Sequence, residues 1–469
     1  MFSRRYIWML AVLASLPTFT RAQDNTAQAS ASESITSDKS ASSDDGRLPS
    51  SDTSASGQSQ TGHPPDRRSF FAADLHASGD AEGNVTEGTG DLSFSSVANA
   101  LAGVHLLSLQ HRSESAIDYL GGGQFYGSNG YAVQQLNAEQ RFLWHRTALA
   151  FADEFGQLPG GSFGATWFGG ASVYNLGTDS NAIPPQSSIS SFFGASDITG
   201  LTQNPLLSNI SLVQLSEVLT PRSSLALTAG YGETDYSRSE LTELNLINNQ
   251  ELGGQLNYNY ALSRRDQIGF LSSFRRYQFP GPLGGNVSTS LGQVVFGHPV
   301  SSRTKFNVAA GPEFTRLSGV TGGVVNQLNV SGHASLSYAL RRSSLSLSYD
   351  RGVTSGSGLF VGANTDTVQF SMVRRYREFA LSTAAGYSRL SQLARPSLGT
   401  VSQAYQYGFV GAGVQKQFGR YVYATAGYQF NDQSSNNSLC VVSGPCSSIG
   451  QGQTFSMGID VSARPRRLE

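Results

Sequence analysis

The chain has 469 residues, of which 14% are charged and 39% hydrophobic, and its formal net charge is -1. This balance lacks the basic excess of nucleic-acid-binding proteins, so nucleic acid is not expected as a partner. After the amino-terminal segment, no stretch approaches the roughly eighteen consecutive apolar residues that a membrane-spanning helix needs.

The amino terminus has the three parts of a secretory signal peptide. Arg4 and Arg5 supply the positive charge, residues 6–16 form an apolar stretch, and small residues precede the position after Ala22. The pattern predicts a signal peptide over residues 1–22 and export of the mature chain. A signal anchor would need a longer apolar run.

Residues 23–90 are predicted to form a disordered periplasmic tail. The first two thirds of this segment are dominated by Ser, Asp, Gln, Thr and Ala, with Ile35 and Leu48 almost the only large aliphatic residues. Such a composition buries too little apolar surface to offset the entropy lost on ordering. Both a plain spacer and a partner-binding segment fit this composition.

Residues 91–463 are predicted to form long strands of alternating polarity. Three copies of the pattern read TPRSSLALTAGYG, LRRSSLSLSYDRG and FGRYVYATAGYQF, each with a short turn that contains Arg before the alternating run. In the second copy, Leu345, Leu347 and Tyr349 alternate with small polar residues. Since strand side chains point to opposite faces in turn, one face is apolar and the other polar. This pattern is typical of a transmembrane barrel, with lipid outside and a polar lumen inside.

The turns that contain Arg recur 35 to 43 residues apart. A period near forty also occurs in β-propellers, but each propeller blade has four short strands, whereas each repeat here has two long ones. The sequence therefore predicts an all-β fold, a transmembrane antiparallel up-and-down β-barrel of about 16 strands, with a range of 14 to 18. The barrel must close, because an open edge would leave unpaired backbone groups in hydrocarbon.

The polar face of the clearest strands predicts the lining of the pore. A barrel of about sixteen strands is wide enough for an aqueous passage. A neutral lining suits polar solutes such as sugars better than a strict ion filter, which uses rings of charge. The predicted pore-lining residues are Gln255, Asn257, Asn259, Asn329, Ser331, His333, Ser335, Ser344, Ser346 and Ser348.

The link 158–205 is the longest interruption of the strand pattern. It is rich in Gly, Ser and aromatic residues and contains the run Ile183-Pro184-Pro185. A link of this length is rarely a passive connection. Such a link folds inward or caps the mouth, and we predict that it narrows the pore.

No motif predicts an enzyme. The chain lacks H-E-x-x-H, a phosphate-binding glycine loop and a nucleophile elbow, so no catalytic residue, metal site or cofactor is predicted. Cys440 and Cys446 are the only cysteines. In an oxidising compartment this pair is predicted to form a disulfide that closes a small loop.

The region from Asp91 to Ser462 resembles bacterial outer-membrane β-barrels of the porin-like kind. The hairpin LTPRSSLALTAGYGETDYS, echoed in ALRRSSLSLSYDRGV, is also similar to barrels associated with exopolysaccharide biosynthesis and secretion. The resemblance implies a bacterial outer-membrane location, with membrane lipid and the barrel assembly machinery as partners. The basic tail 464–469 departs from the pattern, because many such barrels end on an aromatic residue that the assembly machinery reads.

Three functions fit these features. The first is a pore for polar solutes such as sugars. The second is a barrel associated with exopolysaccharide secretion, which implies polysaccharide as a partner, and the third is a structural or adhesive surface protein. The sequence predicts no oligomeric state.

Overall fold

A computed structural model describes the barrel-forming part of the chain. The described residues are 69–85, 92–127, 129–158, 206–236, 247–263, 265–280, 284–301, 303–319, 324–356, 360–393, 404–419, 421–435, 451–463 and 466–467. Among them there is no helix with the length and hydropathy needed to cross a membrane.

The described residues form eighteen long antiparallel strands, and each pairs with the next along the chain. The strands are β1 Phe70–Val85, β2 Leu92–Leu109, β3 Ser113–Tyr126, β4 Asn129–Leu143, β5 Thr147–Leu158, β6 Leu206–Thr220, β7 Ser223–Tyr236, β8 Asn249–Ala261, β9 Gln267–Gln278, β10 Asn286–Pro299, β11 Thr304–Ser318, β12 Val325–Ala339, β13 Ser343–Thr354, β14 Ala363–Arg375, β15 Phe379–Gln392, β16 Ala404–Phe418, β17 Val422–Ser435 and β18 Gln451–Ser462. A two-residue strand, β19 Arg466–Arg467, lies beside Phe70 and Phe71.

Pairing of the first and last long strands closes the barrel. β1 and β18 are antiparallel in continuous register from Asp74 opposite Ser462 to Val85 opposite Gln451. Closure removes the free sheet edges, whose backbone N–H and C=O groups would find no hydrogen-bond partner within a membrane. The predicted fold class is confirmed, with eighteen strands rather than about sixteen.

The barrel begins at Phe70, so its predicted start at residue 91 is corrected. β1 lies inside the segment 23–90 that was predicted to be disordered. Its inward positions include Asp74, His76, Asp80 and Glu82, whereas its outward positions are mostly small. Charge at alternate positions gives the strand the composition of a solvated tail, which hides its period-two pattern.

The two faces of the barrel differ in polarity as predicted. In β13 the outward Leu347 is 41% exposed, whereas the inward Ser346 is 5% exposed and hydrogen-bonds Ser371 at 2.6 Å. Leu227, Leu252, Phe270, Leu328, Val330, Val410, Met457 and Ile459 are likewise large, exposed and outward. An apolar belt around a closed sheet is the surface of a barrel that sits in lipid.

The two ends of the barrel have different connections. At one end, strands such as β4 and β5 or β12 and β13 are joined by short turns; at the other, all links but one are longer. The exception is the tight turn between β3 and β4, where Gly127 has a φ of 57°. In bacterial barrels the short turns are periplasmic and the longer links extracellular.

Several predictions concern residues outside the described ranges. They include the signal peptide 1–22, the tail up to residue 68, the link from 159 to 205, and the disulfide between Cys440 and Cys446. Each of these stays a prediction.

Candidate functional site in the barrel lumen

The predicted pore-lining residues all lie on the inward face of the barrel. Gln255, Asn257 and Asn259 come from β8, and the others come from the adjacent strands β12 and β13. Several bond to neighbours on the same face: Gln293 Nε2 donates to Ser331 Oγ at 2.6 Å, and His333 Nδ1 lies 2.5 Å from Asp350 Oδ1. The inward wall is therefore a hydrogen-bonded polar surface here. Their role as a pore lining stays a proposal.

A second part of the inward face is strongly acidic and was not predicted. It runs over β18 and β1 to β5, and we call it the acidic wall. Its carboxylates belong to Asp74, Asp80, Glu82, Glu114, Asp118, Glu139, Glu154 and Asp460. Among the described residues of these strands, Arg141 is the one inward Lys or Arg, and its Nε is bonded to Glu139.

Histidines tie the acidic wall together across strands. His105 on β2 lies between two aspartates, with Nε2 2.6 Å from Asp74 Oδ1 on β1 and Nδ1 2.7 Å from Asp118 Oδ1 on β3. His76 Nδ1 contacts Asp460 Oδ1, which joins β1 to β18 where the barrel closes. His76 and Asp460, and His105 and Asp118, are direct partners on neighbouring strands, whereas Asp74 is two residues from the register partner of His105. Strand register therefore positions these contacts.

The upper part of the acidic wall, toward the long links, carries two carboxylates without a histidine bonded to them. Asn99 Nδ2 donates to Asp80 Oδ2 at 2.8 Å and to Ser78 Oγ at 3.2 Å. Ser95 Oγ lies 3.4 Å from Glu82 Oε2. Here neutral donors hold the carboxylates at the wall.

On the other side of the lumen, the hairpin of β13 and β14 bends inward. β13 pairs with β12 only as far as Arg351 opposite Gly332, although its pairing with β14 continues to Thr354. Past Arg351, the Val353 N–H donates to the carboxylate of Glu313, 3.1 Å from Oε2, and the Tyr277 hydroxyl donates to the Val353 carbonyl at 3.3 Å. Inward side chains of β9 and β11 thus replace β12 as the partners of this backbone.

Two apolar clusters fix the bent hairpin in place. Phe360 packs with Ala363, Leu390, Tyr405, Tyr407 and Phe409 on the inward faces of β14 to β16. Val353 packs with Tyr277, Phe279, Val287 and Leu317 on the side of β9 to β11, and with Leu393 just past the end of β15. Phe360 is 2% exposed and Val353 3%. The clusters therefore fill part of the upper lumen along β9 to β16.

The bent hairpin was not predicted as a constriction. The predicted constriction, residues 158–205, lies almost wholly outside the described residues, whereas Val353 of β13 and Phe360 just before β14 pack inside the lumen. The available signal was the apolar triplet Leu359-Phe360-Val361 within an otherwise Gly- and Ser-rich link. An apolar triplet of this kind on a solvated loop needs a surface to pack against.

Comparisons with known proteins add a likeness of fold. No protein-family model and no curated protein sequence matches this chain. Among solved structures it is similar to OccK2 (OpdF) of Pseudomonas aeruginosa, with 12% identity and a TM-score of 0.45 over 84% of this chain and 98% of that one. It is also similar to the FrpB iron transporter of Neisseria meningitidis, at 7% identity and TM-score 0.43 over 85% and 82%, and to OccAB1 of Acinetobacter baumannii, at 11% and 0.42 over 87% and 99%.

Closure of the sheet and the apolar belt around it decide the class. The chain folds as a bacterial outer-membrane β-barrel. The inward face is the candidate functional surface, and it has two distinct parts. An acidic wall faces the lumen over β18 and β1 to β5, and an apolar filling covers the upper wall over β9 to β16.

Proposed function

We propose that this outer-membrane barrel is a pore for polar solutes such as sugars. The observation that carries the proposal is a closed ring of eighteen strands whose inward face is polar over β8, β12 and β13 and along the acidic wall. Barrels of sixteen to eighteen strands are wide enough to leave an aqueous channel. Most inward side chains of β8, β12 and β13 carry hydroxyls or amides, which donate and accept hydrogen bonds as sugar hydroxyls do.

The proposed passage is narrower than the barrel. Phe360 and Val353 hold the bent hairpin against the wall from β9 to β16 on the long-link side. A solute that crosses the barrel is then expected to pass along the opposite side, beside the acidic wall. The bent hairpin then limits the size of the solute that can pass, while the hydrogen-bonded ring of strands keeps the barrel rigid.

Conductance with site-specific block tests the proposal. In a variant with Cys440→Ser and Cys446→Ser, one cysteine is placed at the inward Ser78 or at the outward, exposed Ala77 of β1. In planar bilayers we expect stepwise currents that a cationic thiol-reactive reagent reduces at position 78 and leaves unchanged at position 77. In parallel, liposomes that contain the protein should swell in small neutral sugars faster than in large ones.

Other results would contradict a pore. Absence of current and of swelling would favour the third function considered above, a structural or adhesive surface protein with a filled lumen. Equal block at positions 77 and 78 would show that the current does not pass along the inward face. The exopolysaccharide alternative predicts genes for polysaccharide synthesis beside this one.

A further inference from the structure

We propose that the pore selects cations, and that Asp80 and Glu82 are the residues that determine this preference at the extracellular mouth. The inference rests on the proposed pore function and names the charge class of solute that the lumen favours. It concerns small cations and cationic organic solutes, for which the probe is potassium against chloride.

The distribution of charge along the acidic wall supports the proposal. Its carboxylates run from Glu82 near the long-link end, through Asp460 and Asp74, to Glu139 and Glu114 near the short turns. Arg141, the one inward Lys or Arg that the structure describes on these strands, lies at the short-turn end. A wall lined with one sign of charge and backed by low-dielectric material raises the local concentration of counter-ions.

The two carboxylates at the mouth have only neutral neighbours in register. Asp80 lies opposite Val97 on one side and Ser456 on the other. Glu82 lies opposite Ser95 and Thr454 in the same way. Because Asp80 and Glu82 are two residues apart on one strand, both point inward and their like charges repel each other. His76, on the same face, has its Nδ1 bonded to Asp460.

A buried acceptor beside this pair points to a cationic ligand independently. Gln124 on β3 lies directly opposite Asn99, the residue that donates to Asp80. It is 1% exposed, and its Oε1 has no hydrogen-bond partner. A buried acceptor left unsatisfied costs about 1–3 kcal/mol, so a group that offers positive charge or a donor is favoured there. An ammonium group or a partly hydrated metal cation supplies both.

Reversal potentials in a gradient of potassium chloride test this inference. We expect the wild-type pore to favour potassium, and Asp80→Asn with Glu82→Gln to reduce the permeability ratio by about twofold or more. The matched control removes two carboxylates from the outward face, Glu233→Gln with Asp235→Asn on β7, and should keep the wild-type ratio. The preference should also be weaker at 1 M salt, where the Debye length is about 3 Å, than at 0.1 M, where it is about 10 Å.

The outcomes separate the two proposals. A pore that conducts but favours chloride, or whose ratio is the same in the inward double variant, overturns the inference and leaves the pore. A wild-type protein that does not conduct overturns both. If the double variant does not assemble, Glu82→Gln alone carries the test, because the hydrogen bond from Ser95 to that carboxylate is long, at 3.4 Å.

Discussion

Leu256 and Gln255 are neighbours in β8 that face opposite media. Leu256 is 39% exposed on the outer surface, whereas Gln255 is half-buried and faces inward. We expect Leu256→Arg to lower the free energy of unfolding by about 2–4 kcal/mol, as for a charge near the bilayer midplane, and Gln255→Arg to cost less. Equilibrium unfolding in urea with lipid vesicles measures both variants, and equal losses would contradict the assignment of faces.

Asp266 stabilises the short turn between β8 and β9 in its ionised form. The Ser263 hydroxyl, which donates to Oδ2 at 2.7 Å, and His298, 2.6 Å from Oδ1, hold the pKa of this carboxyl below its usual range. Because its pKa is lower in the folded state, Asp266 stabilises the fold at pH values above its unfolded-state pKa of about 3.9. This contribution is lost as the pH falls through the folded-state pKa.

Removal of the Ser263 hydroxyl should move this titration. We expect Ser263→Ala to raise the pKa of Asp266 toward its ordinary value, as followed by carboxyl NMR in detergent micelles. Ser301→Ala is the matched control, because Ser301 donates to Thr304 Oγ1 in the equivalent turn between β10 and β11, without a carboxylate. A Ser263→Ala variant with an unchanged titration would assign the lowered pKa to His298 and Arg265 instead.

At the scale of single strands, predictability depended on how regularly polarity alternates. β8, β12 and β13 carry clean alternation of large apolar and small polar residues, and the faces predicted for them are the ones observed. β1 was not recognised as a strand because charged residues occupy its inward positions. The acidic wall was not predicted either, since its His–Asp contacts join residues as far apart as 76 and 460 and depend on barrel closure.

The bent hairpin shows a second limit of sequence reasoning. Alternation continues through Gly352 and Val353, so nothing in the local pattern indicates where β13 leaves β12. The departure depends on Tyr277 and Glu313, which lie four and two strands away from β13 and hydrogen-bond the carbonyl and the N–H of Val353. Left-handed φ values of 85° at Gly356 and 75° at Gly362 then allow the link to turn back.

The packing of Phe360 should control how far the hairpin narrows the pore. Truncation of a buried Phe costs about 3–5 kcal/mol of packing free energy. Here the truncation should destabilise the packed position of the hairpin and leave the pairing of the barrel strands intact. We expect Phe360→Ala to increase single-channel conductance. The control is Phe314→Ala on β11, which removes an outward ring that is 51% exposed and should leave conductance unchanged. Unchanged conductance in both variants would show that the hairpin does not limit the passage.

At the scale of the whole molecule, the connections set the orientation in the membrane. Phe70 and Ser462 both lie at the short-turn end, which an even number of strands requires. The rule that short turns are periplasmic therefore places the bent hairpin and the upper acidic wall at the cell surface. This orientation decides which end of the acidic wall a solute meets first.

Labelling of intact cells tests the orientation. In a variant with Cys440→Ser and Cys446→Ser, one cysteine is placed at Asn129, an exposed residue beside the turn of β3 and β4, or at Arg265, an exposed residue in the turn of β8 and β9. We expect a membrane-impermeant maleimide to label position 129 on whole cells, because this turn lies at the long-link end. Position 265 should be labelled only after the outer membrane is permeabilised. The reverse pattern would mean that the barrel has the opposite orientation. Asp80 and Glu82 would then lie at the periplasmic mouth, which an entering solute reaches last.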